Sequence, residues 1–276
     1  MNKLSSKCLY IVSTPIGNLD DITLRALEVL KKADIILCED TRHTLKLLNH
    51  FNIKKKLISY HKFNEKKELS NIIKYLNEGK ILSLVSDAGT PLLSDPGRLL
   101  VQACNNNNID IVPIPGASSI TASMSVSGFD DKFLFYGFLP KTEKKLETIL
   151  KSLSLIKFTQ IFFIPGNKIN FYLKYFKNFY SGRKLLIAKE VTKIHETFHR
   201  EDVDKIKMFK SHIKGELTIV ISEKKIKDKS FNENEIKIKA RELLKKYTLK
   251  DVVELLHKTE NGNKKKIYQI CLSLKK

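Results

Sequence analysis

Apolar residues in the first half of the chain fall into short unbroken runs, at 9–13 (LYIVS), 34–38, 57–59, 81–85 and 109–113. Runs of this length, rich in Ile, Leu and Val, predict strands buried on both faces. Between them the period changes to that of a helix. Ile22, Ala26, Val29 and Leu30 share one face of a helix predicted over 22–32, with Asp20 or Asp21 as its cap. Further helices are predicted up to about residue 77, over 97–106, and up to about residue 126. Five strands alternating with helices imply a parallel sheet joined by right-handed crossovers.

Pro140 closes an extended aromatic stretch, 133–140 (FLFYGFLP), and a second, smaller α/β pattern follows. It reads as helix 143–153, strand 158–164, helix 170–179, strands 185–189 and 196–200, helix 203–211 and strand 216–222. Residues 224–234 form a charged linker. Three helices are predicted beyond it, at about 235–247, 249–258 and 264–274, with Asn261, Gly262 and Asn263 as the last turn. The domain boundaries are therefore 1–132, 133–223 and 224–276. The final helix opens on Lys264, Lys265 and Lys266, which fits a helix-turn-helix; a small dimerisation or capping bundle fits the pattern equally.

The most telling stretch is 81–97, ILSLVSDAGTPLLSDPG, where a buried strand empties into Asp87, Gly89, Thr90 and Pro91. In a parallel sheet the carboxyl ends of the strands gather ligands, because loops converge there and helix N-termini point free N–H groups inward. Asp87 can accept hydrogen bonds from a hydroxyl or an amine, and Gly89 lets another group approach the backbone. The same residue types also form ordinary turns. A pocket is favoured because the other strands end in similar loops: 14–19 (TPIGNL), 39–42 (EDTR), 60–65 (YHKFNE) and 115–119 (PGASS). Neither a three-glycine dinucleotide fingerprint nor a phosphate loop ending in Gly-Lys-Ser/Thr is present.

Composition adds less than it first promises. The net charge of +20 invites a polyphosphate partner. Yet 44 of the 50 basic residues are lysine and asparagine is abundant at 18, a mixture that A/T-rich codons produce by drift. The distribution is more informative: net charge is +3 over 1–139, +8 over 140–223 and +9 over 224–276. Cys8, Cys38, Cys104 and Cys271 lie far apart without paired spacing, so no metal site is implied and reduced, cytoplasmic core residues are expected. No 18-residue apolar run or signal-peptide pattern occurs, so neither a membrane span nor secretion is expected.

Taken together and in order, LYIVSTPIGNLDDITLRALEVLKKAD, CEDTRHT, YHKFNE, LVSDAGTPLLSDPG, PIPGASSITA, YGFLPK and KEVTKIHET resemble the small-subunit ribosomal RNA cytidine 2′-O-methyltransferases. These belong to the tetrapyrrole-methylase-like class of S-adenosylmethionine enzymes. The match runs over 9–222, and the terminal helices resemble that family's helix-turn-helix. The resemblance implies two αβα domains with S-adenosylmethionine in the cleft between them, a homodimer, and a ribose-methylated cytidine in the decoding centre as product. Carried over by position, cofactor contacts fall on Ile16, Asp87, Thr90, Ser119, Ile120, Phe163 and Lys189. The turns bearing Asp40, Arg42, His61, Asn64 and Glu65 face the RNA. The chain departs from the family where a Tyr-Glu-Ser-x-His-Arg run is usual. Here 163–168 reads FIPGNK, so Ile164 replaces a carboxylate and Asn167 an imidazole, while Lys168 keeps a positive charge. Phe63 stands where a second histidine is usual.

A ribose hydroxyl is a poor nucleophile, so a base within hydrogen-bond reach of it would speed methyl transfer. Glu39, Asp40, Glu65 and Glu190 are the strand-end carboxylates and His61 a neutral alternative; Glu39 and Glu65 are favoured as following strands directly. Arg42, Lys168, Lys189 and Lys193 are candidate phosphate contacts, which position RNA without reading its sequence. Simpler roles exist: Asp40 with Arg42 as a surface ion pair, and Glu65 as a helix N-terminal acid. Rival readings are a tetrapyrrole-type small-molecule methyltransferase, a non-catalytic RNA-binding or assembly protein, and a structural subunit with an empty cleft.

Overall fold

The computed structural model describes residues 5–224, 233–260 and 263–274. The chain divides into two compact units, Met1–Lys224 and Lys225–Lys276.

In the first unit, strands β1 (Cys8–Val12), β2 (Ile35–Cys38), β3 (Lys56–Ser59), β4 (Ile81–Leu84) and β5 (Asp110–Ile114) form a parallel sheet in the order β3-β2-β4-β1-β5. Helices α1 (Leu24–Lys32), α2 (Thr41–His50), α3 (Glu65–Asn77), α4 (Arg98–Asn106) and α5 (Ser119–Ser125) connect or follow these strands. Tyr10, Val12, Ile36 and Cys38 pack on Ala26, Val29, Leu30 and Leu48 of α1 and α2. Leu9, Leu37, Leu82 and Leu84 pack on Ile72, Leu76, Leu100 and Cys104 of α3 and α4. Burial on both faces explains why β1, β2 and β4 carry no polar alternation, whereas the edge strands β3 and β5 are only partly buried.

Two local expectations need correction. The cap of α1 is Thr23, whose side chain accepts from the Ala26 N–H, while Asp20 and Asp21 sit in a 3-10 turn capped by Asn18. Thr41 and Arg42, read from sequence as part of the polar turn 39–42, open the helix α2 instead, with Asp40 as N-cap.

A second sheet, in the order β6-β7-β10-β8-β9, is built from β6 (Phe133–Phe138), β7 (Thr159–Pro165), β8 (Lys184–Lys189), β9 (Thr197–Asp202) and β10 (Glu216–Ile221). Only the β6–β7 pairing is parallel. One face packs on α6 (Glu143–Leu153) and α7 (Ile169–Phe179) through Leu146, Leu150, Leu173 and Phe176. The other face offers Ile161, Leu186 and Val220 to Ile120 of α5, so a helix that follows the first sheet is seated on the second. The helix expected at 203–211 is absent. Val203 and Ile206 are buried as its pattern required, but Asn170 takes over the backbone there. Its side-chain oxygen accepts from the Phe209 N–H at 2.8 Å and its amide donates to the Phe209 carbonyl at 2.9 Å.

In the second unit, α8 (Glu233–Leu243), α9 (Leu249–Glu260) and α10 (Lys264–Ser273) enclose a small core of Ile236, Ala240, Val252, Leu256, Ile267 and Cys271. Lys239 meets the buried Glu260 at 2.7 Å. Asn263 caps α10, accepting from the Lys265 N–H. The expected linker at 224–234 and the turn residues Asn261 and Gly262 lie mostly outside the described residues.

Candidate active site

Within the first unit, the loops at the carboxyl ends of the parallel strands face the second sheet across a cleft of about 540 Å³. That volume is in the range common for ligand sites. The first sheet contributes Ile16 after β1, Glu39 after β2, residues 87–90 and 93–95 after β4, and Ser118, Ser119 and Ile120 at the start of α5. Phe138, Phe163, Ala188, Glu190, Val191, Lys193, Glu216 and Thr218 form the facing wall.

Hydrogen bonds tie the loops to one another. Thr14 and Gly89 exchange both backbone bonds, at 2.9 and 3.0 Å, as an isolated antiparallel bridge. The Thr90 hydroxyl donates to the Ala117 carbonyl and lies 2.9 Å from the Ser13 hydroxyl, so three strand-end loops share one network. Gly89 has φ +79°, and a Cβ there would lie 3.2 Å from Ile16 Cγ2, so both conformation and space call for glycine. Across the cleft the Asn18 N–H donates to the Thr192 hydroxyl at 3.0 Å. A Cβ on Gly17 would run into Lys193 and come within 2.9 Å of the Val191 carbonyl.

Four non-glycine residues of these loops hold left-handed backbone: Leu92 (φ +70°), Ser94 (+75°), Glu190 (+52°) and Thr192 (+66°). Such conformations cost on the order of 1–3 kcal/mol each and gather where loops are shaped for a ligand.

Electrostatics set the cleft apart from the rest of the chain. Glu39, Asp87, Asp95 and Glu216 all line it. Burial, and then the charge of Glu39, push the Asp95 carboxyl from 3.8 up to about 6, with Asp87 and Glu216 adding and a hydrogen bond from Ser86 opposing. Burial also raises Glu39, reinforced by Asp87 and Glu216 and opposed by His61, and burial alone raises Glu216. The lining lysine, Lys193, is drawn to Glu190 at 3.1 Å. The cleft is therefore short of positive charge inside a strongly basic chain.

Nine of the residues expected from sequence come together here: Ile16, Glu39, Asp87, Thr90, Ser119, Ile120, Phe163, Glu190 and Lys193. The others lie elsewhere. Lys189 alternates with Ala188 along β8, and since Ala188 lines the cleft, Lys189 is on the opposite face of the sheet. Asp40 accepts from the Arg42 N–H and holds its guanidinium at 2.8–3.1 Å, so both side chains are joined at the N-terminus of α2. The Asp40 N–H in turn donates to Asp87 Oδ1 at 3.2 Å.

Asn64 is a staple of its turn, accepting from the His61 N–H and donating to the Ser59 carbonyl, both at 2.8 Å. Glu65 opens α3 near Tyr60, whose phenol is raised first by burial and then by the Glu65 charge. Lys168 is exposed at the start of α7. Ile164, the residue in place of a carboxylate, is fully buried against α6 and α7 and points away from the cleft.

Asp95, Glu216 and Thr218 are the functional candidates the sequence reading missed. Asp95 lies within 81–97, where Ser94-Asp95-Pro96-Gly97 has the composition of a lead into the predicted helix; the helix begins at Arg98, and Asp95 is left facing the cleft. Glu216 and Thr218 belong to the far sheet, and no local pattern announces which face of that strand meets the loops of the first.

A family profile described as Tetrapyrrole (Corrin/Porphyrin) Methylases matches residues 8–207. The chain is 46% identical over 228 residues to the Ribosomal RNA small subunit methyltransferase I of Mesomycoplasma conjunctivae, covering 81% of this chain and 93% of that one. It is 40% identical over 280 residues to the protein of the same description from Buchnera aphidicola, covering 99% of each. Among solved structures, the methyltransferase CobJ superposes with a TM-score of 0.60 at 16% identity, over 78% of this chain and 93% of that one. Uroporphyrin-III C-methyltransferase from Thermus thermophilus, solved with S-adenyl homocysteine, gives 0.55 at 15% identity, over 78% and 96%. A profile match over most of the first unit and a relative at 40% identity from end to end place this chain in the tetrapyrrole methylase family, among the ribosomal RNA small subunit methyltransferases I.

Proposed function

We propose that the chain transfers the methyl group of S-adenosylmethionine to the ribose 2′-hydroxyl of a cytidine in small-subunit ribosomal RNA. The observation that carries the reading is the sign of the cleft: five carboxyls line it, three of them held above their ordinary range and one, Glu190, paired with Lys193, in a chain of net charge +20. A cationic ligand relieves that strain, and S-adenosylmethionine carries both an ammonium and a sulfonium. When bound it supplies an electrophilic methyl carbon.

The chain's residues have three tasks. Asp87, Asp95 and Glu216 hold the cationic groups, while Ile16, Ile120 and Phe163 give apolar walls and Thr90 and Ser119 add hydroxyls. The Thr14–Gly89 bridge fixes the loop that carries Asp87 and Thr90, and positioning of this kind is the largest contribution a protein makes to an in-line displacement. Glu39 accepts the proton of the ribose hydroxyl; its raised pKa makes it a stronger base, and a positioned base is worth roughly 10²–10⁴-fold. Arg42, His61, Lys168 and Lys193 meet the RNA, with phosphate contacts that orient it. Residues 1–132 and 133–223 act as the two halves of the cleft. The partners in this reading are small-subunit ribosomal RNA or the particle containing it, and a second copy of the chain, on the strength of the family resemblance.

The test is to incubate undermethylated small ribosomal subunits with the chain and S-adenosylmethionine labelled in its methyl group. Label in a 2′-O-methylcytidine is expected, and RNA that stays unlabelled overturns the proposal. Titration of the chain with S-adenosylmethionine in a calorimeter tests the cofactor half separately.

A further inference from the structure

Phe63 is 95% exposed at the tip of the turn between β3 and α3. A lone exposed apolar residue is ordinary on a protein surface. Three features make this one different.

The turn that presents it is braced. The His61 carbonyl accepts from the N–H groups of Asn64 (3.0 Å) and Glu65 (2.9 Å), Asn64 pins both ends of the turn, and the Phe63 N–H donates to His61 Nδ1 at 3.2 Å. The ring is therefore held out by fixed backbone, touching the imidazole only edge-on at a centroid distance of 6.0 Å. Its neighbours are the exposed Lys62, Lys66 and Lys67. One aromatic face among lysines is the pattern with which proteins hold single-stranded nucleic acid, the ring stacking on a base while the cations meet phosphates. A protein partner would want a wider apolar patch than a single ring set among charges.

The turn also adjoins the cleft. Tyr60 N–H donates to the Cys38 carbonyl at 2.8 Å, the Ser59 hydroxyl donates to the Glu39 carbonyl at 3.4 Å, and His61 is near enough for its charge to act on the Glu39 carboxyl.

We infer that Phe63 is a stacking platform for a nucleobase of the RNA strand that carries the acceptor ribose, with Lys62, Lys66 and Lys67 on that strand's phosphates. This rests on the reading of the chain as an RNA methyltransferase. It adds a base-binding subsite on the outer side of the cleft, separate from the cofactor.

The chain has no tryptophan, so Phe63→Trp introduces a single indole at the proposed platform. Its emission should be quenched by a short cytidine-containing single-stranded RNA and left unchanged by inorganic polyphosphate. In the methylation assay with small subunits, Phe63→Ala should raise KM roughly 5- to 150-fold with kcat little changed, the span expected for losing one stacked base. Phe63→Trp should restore the KM. At 95% exposure neither substitution disturbs packing, and calorimetric titration with S-adenosylmethionine should give one affinity for all three proteins.

An unchanged KM in Phe63→Ala, or indole emission that RNA and polyphosphate alter alike, overturns the platform while methyl transfer by the parent chain stands. A parent chain that labels no RNA overturns the methyltransferase reading, and the platform with it.

Discussion

Asp95 offers the sharpest test of the cleft's electrostatics. Its carboxyl is lifted from 3.8 to about 6, first by burial and then by Glu39. At about 1.36 kcal/mol per pH unit this corresponds to roughly 3 kcal/mol between the charged and neutral forms. The carboxyl borders an open cleft, so water screens part of that, and ~1–2 kcal/mol is the magnitude to expect. The sign follows from linkage. A folded-state value above 3.8 means that Asp95 favours folding fully below about pH 3.8, and that this contribution is lost as pH rises through about 6. At pH 7.5 the ligand-free protein therefore carries a charge it would be more stable without.

Asp95→Asn removes that charge in an isosteric side chain. At pH 7.5 the variant should melt roughly 2–8 °C above the parent, given ~2–4 °C per kcal/mol for a unit of this size. The gap should close as pH falls from 7 to 4.5. Affinity for S-adenosylmethionine should move the opposite way: about 5- to 30-fold weaker in the variant at pH 7.5, with the parent's own affinity falling below pH 6 as Asp95 takes up its proton. Scanning calorimetry across that pH range and isothermal titration at three pH values measure both. A Tm gap that does not change with pH, or a variant less stable than the parent at pH 7.5, would refute the reasoning.

Three further outcomes follow from named contacts. Gly17→Ala forces a methyl group against Lys193 and the Val191 carbonyl, so it should cost ~1–3 kcal/mol and weaken S-adenosylmethionine binding by opening the join between the β1 and β8 loops; an affinity equal to the parent's would exclude that coupling. Asn170→Ala removes both bonds to the Phe209 backbone and should cost ~1–3 kcal/mol in denaturant melts, with methylation unchanged at temperatures where the variant is folded. Replacing Lys264, Lys265 and Lys266 together by Ala should leave cofactor affinity alone, weaken binding to small subunits and lower the slope of log affinity against log salt, by about 1 for each lost phosphate contact.

The first sheet was legible because burial on both faces of its central strands leaves short apolar runs, and because each strand's carboxyl end is marked by small or polar residues. Glu39, Asp87 and Thr90 and the loops that carry Ile16 and Ser119 were within reach of that reasoning, while the family resemblance singled out Ile16 and Ser119 themselves. What failed did so at finer grain. The α2 helix escaped because its first turn, Thr41-Arg42-His43-Thr44, carries little apolar signal, and its buried face shows mainly in Thr44 and Leu48. Val203 and Ile206 have helical spacing, but Asn170, more than thirty residues away, supplies the backbone bonds a helix would have made. Lys189 was misplaced by one residue of strand parity, which turns a side chain to the other face.

Net charge conceals a local contrast. Lysines spread over the surface set the total of +20, whereas the cleft is built from a few carboxyls brought together from β2, β4 and β10 and their loops, at sequence positions 39, 87, 95 and 216. Composition averages over that contrast, and only the fold separates a basic exterior suited to RNA from an acidic interior suited to a cation. Strand parity also places Ile164, which stands where a carboxylate is usual, away from the cleft. Its side chain belongs to the core formed with α6 and α7 and does not line the cleft. A substitution that looks like damage to the site when aligned by motif is, by strand parity, a substitution on the other side of the sheet.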